Sequence, residues 1–142
     1  ISDISPKALK VANKNIEKHK VSNVHSIESN WFAGFKEEKF FDLILTNPPY
    51  IGKGDVHLTN PEINYEPSNA LVSANNGFSD IFKIIDSAAN FLKPQGKLFI
   101  EHGYTQADKV KNYLQQKSFE NIRQHRDINH KIRVTSGSKI KV

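Results

Sequence analysis

The strongest constraint on the fold is an apolar run that ends against two prolines. Phe40 to Thr46 (Phe-Phe-Asp-Leu-Ile-Leu-Thr) has the length and apolar content of a buried strand, and Asn47-Pro48-Pro49 stops it. Proline offers no N–H to a ladder and fixes its φ, so two in succession end any regular element. On either side, strand-like and helix-like stretches alternate. Ile1 to Asp3 reads as the end of a strand. Ser5 and Pro6 then open a helix as N-cap and first-turn residue, with Ala8, Leu9, Ala12 and Ile16 on its apolar face. Val24 to Ile27 reads as a short strand. Residues 51–77 form a long polar connection rich in Asn, Gly and Pro, a length that in a compact domain marks a functional or unstructured segment. Ser79 or Asp80 opens a second helix carrying Ile81, Ile84, Ile85, Ala88, Phe91 and Leu92, which stops at Lys93-Pro94-Gln95-Gly96. Lys97 to Glu101 reads as a buried strand, and Thr105 to Lys117 as a third helix with Val110 and Leu114 inward. Phe119 to His125 and Ile132 to Gly137 form a closing hairpin.

Such alternation predicts a doubly wound α/β fold, with a mostly parallel sheet and a C-terminal antiparallel hairpin. The 142 residues suffice for one core, and residues 1–142 read as one domain or most of one. Without cysteine the chain makes no disulfide and no thiolate metal site, which fits a reducing cytoplasm. No apolar run reaches membrane-span length. The sequence has no methionine and opens inside a strand pattern, so the expectation is that the N-terminal part of a longer protein is absent. A net charge of +5 favours a polyanionic partner such as RNA or a ribonucleoprotein, the alternative being a mildly basic cytosolic protein. The basic residues are dispersed, with one loose cluster at Arg123, Arg126, Lys131, Arg133, Lys139 and Lys141.

Asn47-Pro48-Pro49-Tyr50 stands where a site belongs, because open α/β sheets bind ligands beyond the carboxyl ends of their strands. An amide nitrogen is a poor nucleophile, its lone pair being delocalised. Two acceptors that take both of its N–H hydrogens fix the nitrogen and favour localisation of that pair. The Asn47 side-chain oxygen and the Pro48 carbonyl can be those acceptors. The prolines stiffen the turn at small entropic cost. Tyr50 can stack on a flat amide or base and can favour a cationic methyl donor. Orientation and electrostatics then carry the methyl transfer, with no general base required. The competing reading is a rigid Pro-Pro turn with Asn47 as a local cap.

Asp3, just past a strand, can bind both ribose hydroxyls of a nucleoside cofactor, or cap the following helix beside Ser5. Asn30 can hydrogen-bond an adenine amino group, and Trp31 can pack beside the ring or in the core. Glu66-Pro67 is expected to shape a substrate cleft, and Glu101-His102-Gly103 to face it. The six histidines lack close metal-ligand spacing, so no metal is expected and His102 reads as structural. The chain has neither Gly-x-Gly-x-x-Gly nor a phosphate-binding Gly-Lys-Ser/Thr loop.

These residues together resemble the HemK/PrmC-type protein-glutamine methyltransferases, which methylate the Gly-Gly-Gln glutamine of peptide chain release factors. The resemblance runs over nearly all of the chain. It is carried by Asp3-Ile4-Ser5-Pro6 with Ala8-Leu9, Ser29-Asn30-Trp31-Phe32, Asn47-Pro48-Pro49-Tyr50-Ile51, Glu66-Pro67 with Ala70-Leu71, Gly77, Glu101-His102-Gly103 with Gln106, and Arg133-Val134-Thr135. Asn-Pro-Pro-Tyr alone is shared with amino-group methyltransferases acting on DNA and RNA. The run from Ile51 through Asp55, Leu58 and Glu66 to Leu71 is more specific.

The resemblance implies a Rossmann-like class I methyltransferase fold and S-adenosylmethionine as donor, with S-adenosylhomocysteine as product. It implies that Asp3, Asn30, Trp31 and Asn47 hold the cofactor. Asn47, Pro48, Pro49, Tyr50 and Glu66 would hold the substrate, and Asn47, Pro48 and Tyr50 would serve the chemistry. It further implies a cytoplasmic, monomeric enzyme acting on a release factor, with nucleic acid secondary and no membrane. The chain departs from the family's pattern twice: the Gly-rich cofactor loop upstream of Asp3 does not occur in it, and Asn30 stands where Asp is usual. Amino methylation of RNA or DNA bases, and an inactive binding module, stay open as alternatives.

Overall fold

The structure, a computed structural model, describes residues 1–36, 40–61 and 65–140. The chain divides into two compact units, Ile1–Glu38 and Lys39–Val142. The first holds strand β1 (Ser2–Asp3), helix α1 (Pro6–Lys18) and strand β2 (Ile27–Glu28). Ser5 caps α1 with extended backbone, and its hydroxyl accepts from the Ala8 N–H at 3.3 Å. The inward face of α1 is narrower than its sequence pattern suggests. Leu9 is buried and Ala12 and Ile16 are half-buried, whereas Ala8 is exposed. β1 and β2 pair in parallel, Ser2 with Ile27 and Asp3 with Glu28. The strand expected at residues 24–27 is Ile27–Glu28 in the structure, and His25 and Ile27 bond to Ile1 at its start.

The second unit starts with β3 (Phe41–Thr46), followed after the motif by a 3-10 turn at Val56–Thr59 and two single-turn helices, α2 (Ser68–Leu71) and α3 (Ala74–Gly77). Then come α4 (Ser79–Phe91), β4 (Leu92–Glu101), a 3-10 turn at Tyr104–Gln106, α5 (Ala107–Gln116), β5 (Phe119–Arg126) and β6 (Ile132–Lys139). The four strands are ordered β3-β4-β6-β5. β3 and β4 run parallel, with Thr46 opposite Ile100, and the expected hairpin β5–β6 adds antiparallel to β4. Asp127 builds the hairpin turn, its Oδ1 accepting from the N–H groups of Asn129 and Lys131. β4 starts five residues earlier than expected, directly where α4 ends. Its pairing with β3 is irregular between Phe41 and Leu43, where Gln95 takes φ 65°.

The core of this unit lies on one face of the sheet. Ile81, Ile84, Ile85 and Ala88 of α4 are buried, as are Val110 and Leu114 of α5 and the inward residues Leu98 and Ile100 of β4. Full burial of such side chains contributes about 1.5–3 kcal/mol each. The opposite face is a different environment. Residues 40–46 do not form the buried strand their composition suggests, since Leu43 is 47% and Leu45 70% exposed. β3 is the end strand of its sheet, and by register Leu43 and Leu45 lie on the face with Lys97 and Phe99, away from Leu98 and Ile100. Among the described residues no helix is long and apolar enough to cross a membrane.

This asymmetry sets a clear expectation for stability. In the 142-residue chain, Ile85→Ala costs about 2–5 kcal/mol by loss of buried surface and cavity formation. Leu45→Ala costs less than about 0.5 kcal/mol, as for an ordinary surface change. Urea unfolding measures both, and equal losses would show that β3 is covered in solution.

Candidate active site

The parallel pairing of β3 and β4 brings two strand ends together, and the motif leaves β3 at that point. Pro48 is fully buried, Asn47 is exposed, and Pro49 and Tyr50 are half-buried. Among the described residues nothing hydrogen-bonds the Asn47 carboxamide or the Pro48 carbonyl; the first is exposed to a ligand, whereas the second is unbonded but buried. An open cleft of about 430 Å³ lies beside Asn47, lined by Leu45, Thr46, Asn47, Phe99, Glu101 and Val134. It has apolar walls from the uncovered sheet face and a polar rim at the strand ends. That composition suits a flat ligand with one polar edge.

Tyr50 is fixed at both ends. Its hydroxyl donates to Glu101 Oε1 at 3.2 Å, and its main-chain carbonyl accepts from Gln106 Nε2 at 3.0 Å. Burial is the main cause raising its pKa above the ordinary 10.0, and the charge and hydrogen bond of Glu101 raise it further. The charge of Arg133 acts against this and that of Glu66 with it, both less than Glu101. Tyr50 is therefore a neutral, oriented ring. Glu101 thus faces the cleft as expected. Glu66 itself is exposed in the long connection.

That connection returns to the motif. Ile51 bridges Val72, the Ile51 N–H donates to the Leu71 carbonyl at 3.0 Å, and the Ser73 N–H donates to the Ile51 carbonyl at 2.9 Å. Asn75, Asn76 and Gly77 follow with three left-handed residues in succession. A Cβ on Gly77 would collide with the Tyr50 carbonyl, so glycine is needed there on two counts. His102 is fully buried between the Thr135 hydroxyl at 2.7 Å and the Gly103 carbonyl at 2.9 Å. Burial pushes its pKa below the usual histidine value, so the ring is a neutral structural element.

In the other unit, Asp3 closes the end of β1. Its Oδ1 accepts from the Ser5 N–H at 2.7 Å, an Asx turn that prepares the cap of α1. The capping reading of Asp3 thus holds for one carboxylate oxygen. Asn30 is exposed, and Trp31 is half-buried with φ 54°. Buried Ser29 holds that conformation, its hydroxyl donating to the Trp31 carbonyl at 2.6 Å and accepting from the Gly34 N–H at 2.8 Å. Ser29, Gly77 and Gln106 carried the resemblance as sequence but had no role assigned. Buried polar side chains leave no periodicity, so only their contacts identify them. Among the described residues no group of three His, Cys, Asp or Glu side chains is placed to hold a metal. The basic cluster is partly consumed by internal contacts: within the hairpin Arg126 donates to the His130 carbonyl and Arg133 meets Asp127, and Lys139 donates to the Leu92 carbonyl of β4. Lys141 lies outside the described residues.

The Tyr50–Glu101 contact is testable on its own. Glu101→Gln removes the charge and weakens the acceptor, so the phenol midpoint moves down toward 10.0 without reaching it, since burial remains. A ¹³C NMR titration of labelled tyrosine reads this, and an unmoved midpoint would contradict the pairing.

Comparison with known proteins bears on the family and the fold. A family model described as "Methyltransferase domain" matches residues 2–140. The chain is 42% identical over 130 residues to a release factor glutamine methyltransferase of Pasteurella multocida, covering 92% of this chain and 43% of that protein. It is 39% identical over 133 residues to the enzyme of the same name from Francisella tularensis, covering 94% and 46%. The chain therefore spans somewhat under half the length of these relatives. In structure it is similar to a methyltransferase from Pyrococcus furiosus, with TM-score 0.69 at 18% identity over 98% of this chain and 61% of that one. The expected class I methyltransferase fold is the one found, and the resemblance read from the motifs extends to nearly the whole sequence. On the match over residues 2–140, the chain belongs to the methyltransferase-domain family.

Proposed function

We propose that residues 1–142 form one catalytic domain that transfers a methyl group from S-adenosylmethionine to a glutamine side-chain amide, that of the Gly-Gly-Gln motif in a peptide chain release factor. The observation that carries this reading is the pair of unengaged acceptors, Asn47 Oδ1 and the Pro48 carbonyl, on a turn that is otherwise fixed. A primary amide has two N–H groups on one planar nitrogen, and two acceptors on a rigid turn match that demand. The similarity to release factor enzymes includes the connection after the motif, which bends back onto Ile51. A cytoplasmic enzyme acting on the translation machinery follows from the same reading.

The residues of the first unit fit the cofactor. Asp3 commits one carboxylate oxygen to Ser5 and leaves the other for ribose hydroxyls. Asn30 presents an exposed carboxamide for an adenine amine, and Ser29 fixes the Trp31 backbone beside it. The cofactor supplies an electrophilic methyl on a cationic sulfur. This chain's part is positional. Asn47 and Pro48 accept hydrogen bonds from both amide N–H groups, which holds the nitrogen and draws its lone pair out of conjugation; the new C–N bond would form as the methyl–sulfur bond breaks, with one of these protons then passing to water. Tyr50 stacks its neutral ring on the amide, kept in place by Glu101 and by its own carbonyl. Such fixed acceptors stabilise charge where it develops, without reorganisation during the step.

Incubation of the full-length protein with S-adenosylmethionine and either a release factor or ribosomal RNA tests the substrate. The expected product is a release factor whose glutamine gains one methyl mass, with RNA unlabelled, and the reverse would establish base methylation instead. Within that assay, Asn47→Ala lowers kcat by roughly 100-fold or more. Asp3→Ala raises the Kd for S-adenosylmethionine by a larger factor than it lowers kcat. Near-normal turnover in the first variant, or unchanged cofactor affinity in the second, would remove those assignments.

A further inference from the structure

We propose that Gln106 is a positioning residue for the transfer, acting through the main chain of the Asn47–Tyr50 turn. This deepens the methyltransferase reading above and rests on it. Gln106 is 6% exposed, just before the first residue of α5, yet its side chain does not serve that helix. Its Oε1 accepts from the Gly103 N–H at 2.8 Å, and its Nε2 donates to the Tyr50 carbonyl at 3.0 Å and to the Asn76 carbonyl at 3.4 Å. One carboxamide therefore ties together three loops: the motif turn, the left-handed turn at 75–77, and the exit of β4. Both of its N–H groups and its oxygen are used, which offsets the cost of burying them.

Two features mark the clamp as local to the motif. Gly77 leaves the space in which it sits, since a Cβ there would overlap the Tyr50 carbonyl and lie 2.8 Å from Gln106 Nε2. Tyr50 is also held at its far end by Glu101, so the carbonyl clamp and the phenol contact together leave the residue one orientation. The Pro48 carbonyl is two residues upstream along a proline-stiffened backbone. Movement at the Tyr50 carbonyl therefore carries to the acceptor pair with little absorbed between them.

Two substitutions in the full-length protein separate this role from a merely structural one. Gln106→Met keeps length and loses all three hydrogen bonds. Gln106→Glu keeps the acceptor for Gly103 but sets an oxygen against the Tyr50 and Asn76 carbonyls. It can donate to them only when protonated, a form favoured by burial. The expected result is a drop in kcat of about 10- to 100-fold in both variants, with KM for S-adenosylmethionine within about threefold, as for a misplaced reacting group. The ratio of Gln106→Glu to wild-type kcat should rise as pH falls from about 8 to 6, as protonation restores a donor. Unchanged kcat in both folded variants, a pH-independent ratio, or failure of both to fold would overturn the proposal. A wild-type enzyme that transfers no methyl to glutamine would instead overturn the reading beneath it. If it methylates another acceptor, the Gln106 comparison is made on that one.

Discussion

The arrangement of this site depends on one ladder, the parallel pairing of β3 with β4. Parallel strands point their carboxyl ends the same way, so Asn47 leaves β3 beside the segment Glu101-His102-Gly103 that leaves β4. A parallel pair also needs a crossover connection, supplied here by residues 51–91 with α4 packed on the sheet. The same pairing that gives the core its inward row, Leu98 and Ile100, puts Phe99 and Glu101 on the opposite face, where they line the cleft. Core and site are thus the two faces of one strand.

Around that ladder the polar contacts divide into two kinds. Those that fix the motif are satisfied within the protein: Tyr50 to Glu101, Tyr50 to Gln106, and Ile51 to Leu71 and Ser73. The acceptors proposed for the substrate, the Asn47 carboxamide and the Pro48 carbonyl, have no partner among the described residues. The exposed Asn47 carboxamide is solvated at no cost, whereas the buried Pro48 carbonyl has no partner among the described residues, a cost of the kind found at binding sites. The alternative in which Asn47 only caps the Pro-Pro turn requires a bond to its side chain, and among the described residues there is none.

Much of this was legible in the sequence because it rests on local rules. Ser5-Pro6 announces α1, the apolar spacing of residues 81–91 announces α4, and Asn47-Pro48-Pro49-Tyr50 marks the candidate site at the end of β3. Burial was less legible where it depends on neighbours. Leu43 and Leu45 look like core residues by type, but an end strand has a face that α4 and α5 do not reach. β2 is Ile27–Glu28 rather than 24–27, because its extent follows its pairing with β1 and not its own residue types. Gln106 and Ser29 could be noticed but not explained. A buried polar group declares its purpose only through partners distant in sequence, 56 residues away for Gln106 and Tyr50.

The account stands on the claim that Asn47 Oδ1 and the Pro48 carbonyl together bind the two N–H groups of a planar amide. A crystal structure of the full-length enzyme with S-adenosylhomocysteine and a glutamine-containing peptide measures this directly. The account predicts the glutamine nitrogen at about 3 Å from both oxygens, with the Tyr50 ring against the amide plane. A glutamine nitrogen bonded to neither oxygen, with the motif still shaped as described, would contradict it.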